Sequence, residues 1–162
     1  MKKVAALLLM VSSSCSSPKF LPASTEIHSN PYGSYISVAL RNGTFFRGEL
    51  IAIDTVNMLI LSETIGKCIS IKVSDAKNFT LKYAKSKHYG WSIPVFTLFT
   101  LSHGGYALAT APLNLIVTIV VTSSGEHAFT YNNKNMTLDQ IRMFARFPQG
   151  IPKNLPIESI HS

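Results

Sequence analysis

Between Tyr35 and Ala84 the chain is a series of short runs in which apolar and polar residues exchange every second position. That period sends alternate side chains to opposite faces of a strand. Tyr35-Ile36-Ser37-Val38-Ala39-Leu40 is the first run, Thr44 to Ile53 the second and Met58 to Leu61 the third. In the fourth, Lys67 to Val73, residues Cys68, Ser70 and Lys72 oppose Ile69, Ile71 and Val73. In the fifth, Asn78 to Ala84, residues Phe79, Leu81 and Tyr83 share one face and Thr80 and Lys82 the other. The punctuation agrees. Asn42-Gly43 is a hairpin signal, because both residues tolerate positive φ. Asp54 to Asn57 reads as a turn, since both side chains cap turns locally. Gly48, inside the second run, predicts a bulge or sharp bend. Five short strands joined by tight turns predict a small five-stranded β-barrel over residues 35–87, within a mainly β, α+β chain.

The pattern then changes. Residues 88–125 contain no Asp, Glu, Lys or Arg, a gap of 38 residues. Trp91 to Leu101 forms one apolar arm, Gly104-Gly105 a natural break, and Tyr106 to Val121 a second arm. One reading is membrane contact through residues 91–122. A full span needs about 20 apolar residues, so the arms suit a shallow re-entrant or interfacial seat better than a crossing. Trp91, with Lys82, Lys85 and Lys87 before it, would meet the headgroups. The other reading is a buried hairpin. Leu113 to Val121 is rich in Ile, Val and Thr, a strand composition, and Ala128 to Tyr131 can return after the Thr122-Ser123-Ser124-Gly125 turn. Burial or shallow contact is favoured over spanning. Residues 126–148 complete the fold with a strand and an amphipathic helix. Thr137-x-x-Gln140 has the form of a capping box. Leu138, Ile141, Phe144 and Phe147 mark the apolar face, Arg142 and Arg146 a basic edge, and Pro148 the end. The Pro-rich tail, residues 149–162, is predicted to be extended and mobile.

The N-terminus carries the compartment. Met1-Lys2-Lys3 is a short basic start, Val4 to Val11 is apolar throughout, and Ser12-Ser13-Ser14 leads into Cys15. This is the layout of a secretory signal peptide, residues 1–14, with an apolar run far too short to span a bilayer. A cysteine directly after small residues makes it resemble a bacterial lipoprotein signal, with Ser12 where such signals usually carry Leu. The resemblance implies that Cys15 is acylated and becomes the mature N-terminus. The plainer alternative is an ordinary signal with a chance cysteine. Residues 15–34 then read as the lipidated cysteine and a flexible linker that holds the domain clear of the headgroups.

Val38-x-Leu40-x-x-Gly43, Gly48-x-Leu50, Asp54 and Asn57 resemble the first Sm motif. The resemblance implies an Sm-like or SH3-like barrel. Asn57 follows Asp54 one residue sooner than in Sm proteins, and the Arg-Gly pair of the second Sm motif is missing between Ile69 and Phe79. Those positions hold RNA in the family, so the fold carries over and the RNA site does not. The layout as a whole also resembles small uncharacterised lipoproteins of Gram-negative bacteria, particularly the Bacteroidota, a likeness that implies no activity.

Composition narrows the function classes. Hydrophobic residues make up 46% and charged residues 14% of the 162, an unusually apolar balance. The formal charge of +7 falls to +5 when Lys2 and Lys3 leave with the signal. That balance suits an anionic lipid surface or an envelope polymer; an exported chain is not expected to meet nucleic acid. With Cys15 lipidated, Cys68 has no partner for a disulfide and reads as a core thiol. The five histidines, His28, His88, His103, His127 and His161, show no ligand spacing, and no pattern calls for a cofactor or metal. The expectation is a non-enzymatic, lipid-anchored envelope protein of interaction or scaffolding type. It would sit in the outer membrane facing the periplasm, or in the inner membrane, with the bilayer and an envelope protein as partners. A membrane-inserted component using residues 91–122 is the alternative. A hydrolase using Cys68 or a serine with an unplaced histidine is the third.

Overall fold

The Asn42-Gly43 pair makes the hairpin its chemistry predicts. Gly43 sits at φ 87°. Its N–H donates to the Leu40 carbonyl at 3.1 Å, and the Thr44 N–H donates to Asn42 Oδ1 at 2.9 Å. This turn joins β1 (Tyr35–Leu40) to β2 (Phe45–Ile53). The computed structural model describes residues 20–85, 90–91, 93–95, 98 and 107–161. The leader with Cys15, and also Lys87, His88 and the stretch Ser102-His103-Gly104-Gly105, lie outside the described residues.

β3 (Asn57–Ser62), β4 (Cys68–Lys72), β5 (Ala76–Lys82) and β6 (Thr130–Asn132) complete a six-stranded antiparallel sheet in the order β4-β3-β2-β1-β5-β6. The five strands expected from alternation are all present. The sixth is the short return strand, which pairs with β5 through Thr80, Leu81 and Lys82. The sheet is open, with β4 and β6 at its edges. Asp54 is the turn residue its position implies: Oδ1 accepts from the N–H groups of Val56 at 2.7 Å and Asn57 at 2.6 Å. Those two bonds hold its carboxyl below the ordinary carboxylate range.

The bulge falls three residues beyond Gly48. The register of β2 against β3 shifts between Leu50 and Ala52, leaving Ile51 as the extra residue. Gly48 answers a different need. A Cβ there would stand 1.9 Å from the Leu61 carbonyl oxygen, so only glycine lets the strands come so close. The bulge puts Leu50 and Ile53 on one face and Ile51 on the other.

Both faces of the sheet are therefore apolar. The first carries Ile36, Val38, Leu50, Met58, Ile60, Phe79 and Leu81. It is closed by α2 (Leu138–Ile141) and the 3-10 turn Arg142–Phe144, through Ile141, Phe144 and Ala145. The Thr137/Gln140 capping box forms as its spacing requires. The helix is shorter than its apolar pattern implies, because the chain leaves helical geometry at Ala145, before Pro148. The second face carries Ile51, Leu61 and Ile160, with Leu59, Cys68, Phe147, Ile151 and Leu155 against them. The Pro-rich tail is thus part of the core rather than an extended, mobile end. Pro152 and Pro156 accept local turn bonds at 3.0 Å each, and the turns aim Leu155 and Ile160 at the sheet. The linker expected over residues 15–34 is also partly folded. Leu21 is buried, the Phe20 ring packs tilted against Tyr35 with centroids 5.4 Å apart, and Ala23 pairs with Lys85.

The described residues fall into two units. One holds residues 20–85 and 129–161, hence the whole sheet. The other lies within residues 90–128, inserted in the chain between β5 and β6. Its main element is α1 (Ala107–His127), 21 residues with Pro112 inside. The strand expected over Leu113 to Val121, and with it the 113–131 hairpin, is replaced by this helix. Strand composition is a weak prior when no partner strand is supplied. Ala107-Leu108-Ala109-Thr110-Ala111 favours helix, and a helix satisfies its backbone internally. Among the described residues no helix is long and apolar enough to cross a membrane.

Candidate functional site

Two features of the described residues bear on function: a buried carboxylate clamp in the sheet unit, and the surface of α1.

The clamp centres on Glu49 of β2, which is 1% exposed. Burial of a carboxylate requires that its charge and lone pairs be met. The Arg146 guanidinium does both: Nε donates to Oε1 at 2.7 Å and an Nη group donates to Oε2 at 2.5 Å. The Gly33 N–H adds a third donor to Oε1 at 2.6 Å. Arg146 also lies over the Tyr32 ring, 4.9 Å from its centroid, and donates to the His161 carbonyl at 3.1 Å. Its backbone N–H donates to the Leu50 carbonyl, and that of Phe147 to the Ile51 carbonyl, both at 2.9 Å. The fork and the two backbone bonds place residues 146–147 beside β2. Arg146 is therefore not the exposed basic edge that its four-residue spacing from Arg142 suggests. With both oxygens occupied, Glu49 is a tie between chain segments rather than an acid or base waiting for substrate.

Around this tie, the Tyr35 hydroxyl donates to Glu63 Oε2 at 2.7 Å. Burial, reinforced by that bond and the Glu63 charge, pushes the phenol up to about 12. The Ser34 hydroxyl is buried and has no hydrogen-bond partner among the described residues. Cys68, paired across the ladder with Leu61, is half-buried, and burial pushes its thiol up. A raised thiol works against nucleophilic use of Cys68, because the thiolate is the reactive form. Among the described residues no group of three or more His, Cys, Asp or Glu side chains is placed to hold a metal ion.

The residues expected at a membrane surface are distributed as follows. Lys82 is exposed on β5 and Lys85 is half-buried at the Ala23 bridge. Trp91 is 65% exposed. Cys15 and Lys87 lie outside the described residues.

α1 inverts the usual relation between polarity and burial. Its large apolar side chains are open: Leu113, Ile116, Val120 and Val121 are each more than half exposed, as is Val117. Its least exposed positions are small or polar, namely Thr118, Thr122 and Gly125. Thr122 is 7% exposed. The Thr118 hydroxyl donates back to the Asn114 carbonyl at 2.7 Å, the bond by which Thr meets its own need inside a helix. The strand alternative for Leu113 to Val121 rests on composition, and neither it nor the membrane-contact alternative singles out this stripe. Thr110, Asn114, Thr118 and Thr122 recur every fourth residue, and that helical period was the available signal.

No family model matches the chain, and neither a curated protein nor a solved structure does.

Proposed function

We propose that the protein is a lipid-anchored cell-envelope protein that works by interaction rather than catalysis. It carries a small β unit of the Sm-like or SH3-like barrel plan. The observation that carries this reading is the ordered leader, Met1-Lys2-Lys3, Val4 to Val11, Ser12-Ser13-Ser14, then Cys15. The structure adds a distance. The sheet unit begins at Phe20 and Leu21, which already pack on or near β1. Five residue-to-residue steps lead from Cys15 to Phe20, a reach of at most about 18 Å. The headgroup layer is about 5–8 Å deep. An acyl group on Cys15 therefore keeps Phe20 within about 10 Å of the outer edge of the headgroup layer. The partner in this reading is an envelope protein or the bilayer itself, with outer-membrane placement facing the periplasm as the proposed address.

The test is metabolic labelling with a fatty-acid probe. The wild-type chain should be labelled and Cys15→Ser should not. Equal labelling of the two sinks the assignment.

A further inference from the structure

We infer that α1 is an acyl-chain-contacting helix, seated in one leaflet of a bilayer with its Thr118/Thr122/Gly125 stripe turned away from lipid. The inference rests on the membrane-proximal reading above and names the chemistry of the surface that acts there.

Four observations converge. The first is the angular extent of the open apolar surface. At 100° per residue, the exposed side chains from Leu115 through Ile116, Val120, Leu113 and Val117 to Val121 sweep an arc of about 240°, which the exposed polar residues Ser123, Ser124 and His127 join only towards the C-terminal end. A helix face made for a groove or a second helix is a stripe little wider than 100°. A protein partner seated on such a stripe would leave more than half of this arc in water. Acyl chains can cover all of it. The second is the inversion itself: the sector left over, near 120°, holds Asn114, Thr118, Thr122 and Gly125, and it contains the helix's least exposed side chains. Water as the surrounding solvent would favour the opposite arrangement. The third is charge. The sequence places no Asp, Glu, Lys or Arg between Lys87 and Glu126, so the described helix up to Gly125 carries none. The fourth is length. At 1.5 Å per residue, 21 residues make about 31 Å of helix, ample for a long contact with one leaflet. Exposed apolar area of this size in a soluble chain marks a membrane or partner site. The arc decides for lipid.

Thr118 shows how the helix tolerates the setting. Its hydroxyl is bonded to the Asn114 carbonyl of its own helix, so it presents no unmet donor to hydrocarbon.

The experiment uses the full chain, which has a single tryptophan, Trp91. Trp91→Phe removes it, and Val117→Trp or Val121→Trp then places one reporter on the arc. Both positions are more than half exposed, so neither substitution disturbs a packed core. The chain is reconstituted into phosphatidylcholine/phosphatidylglycerol vesicles with or without bromine on the acyl chains. Blue-shifted emission that bromine quenches and aqueous iodide does not is the expected result. Emission open to iodide and indifferent to bromine, in chains that still float with the vesicles, overturns the inference while leaving the anchor standing. Blue-shifted emission that bromine does not quench also overturns it, because protein rather than lipid then covers the arc. Failure to float together with loss of fatty-acid labelling is the failure of the anchor reading and is seen separately. Val117→Lys supplies a second measure: bromine quenching of a Val121→Trp reporter should fall, since a lysine in hydrocarbon lowers insertion roughly hundredfold. Unchanged quenching would refute immersion of that turn.

Discussion

Arg146→Ala tests the clamp directly. Glu49 is 1% and Arg146 14% exposed, so the pair is screened by protein rather than by water. Removing the arginine leaves the Gly33 N–H as the only donor to the Glu49 carboxylate among the described residues. Leaving a buried charge uncompensated costs about 3–5 kcal/mol. A domain is stable by only about 5–15 kcal/mol, so this single change takes a large share of what holds the sheet unit together. At a urea slope of about 2 kcal/mol per molar, the unfolding midpoint should fall by about 2 M. The assay is urea unfolding followed by the near-ultraviolet signal of the tyrosines, with Arg142→Ala as comparator. Arg142 is exposed, and among the described residues its side chain donates one hydrogen bond, to the Pro148 carbonyl at 2.7 Å. Its loss should cost about 1 kcal/mol or less. Glu49→Met combined with Arg146→Met should recover most of the stability, because no charge is left buried. The reasoning is refuted if Arg146→Ala and Arg142→Ala unfold at the same urea concentration, or if the double variant is no more stable than Arg146→Ala.

Three further outcomes follow from the same core. Gly48→Ala should cost about 1–3 kcal/mol, because its Cβ would meet the Leu61 carbonyl of the neighbouring strand and the backbones must part; thermal unfolding reads this. Ser34→Ala should raise stability by about 1 kcal/mol, since it removes a buried hydroxyl that has no partner among the described residues, and a drop in urea midpoint would contradict that account. The Tyr35 phenol loses its proton at about 12 in the fold against 10.0 in the unfolded chain. Its contribution is therefore complete below pH 10 and lost as the pH rises towards 12, and Tyr35→Phe should remove that part of the alkaline slope in a pH series of urea midpoints.

Alternation made β1 to β5 legible because each strand has one face against Ile141 and its neighbours, and a period of two survives wherever one face is buried. Asn42, Gly43 and Asp54 were legible because their chemistry is local: each turn bond closes within three residues. What depends on distance along the chain was not. Glu49 and Arg146 are 97 residues apart, and nothing in either neighbourhood announces the other. The tail was opaque for a related reason. Its prolines forbid regular structure, yet irregular turns can still deliver Leu155 and Ile160 to a sheet whose second apolar face is visible only once the bulge at Ile51 is known. In α1 the β-branched composition outweighed a four-residue polar period that was present all along.

The second apolar layer also sets an order of assembly. As the chain emerges N-terminus first, β1 to β5 are available to pair once residue 82 has appeared. Ile51 and Leu61 then wait, through the whole inserted segment, for Phe147, Leu155 and Ile160 to be made. Contacts so far apart in sequence close slowly, and uncovered apolar sheet in the interval invites aggregation. For a chain exported as proposed, that lateness is useful. The sheet unit cannot complete both of its layers until nearly all of it has reached one compartment, so a partly transferred chain stays open enough to keep moving.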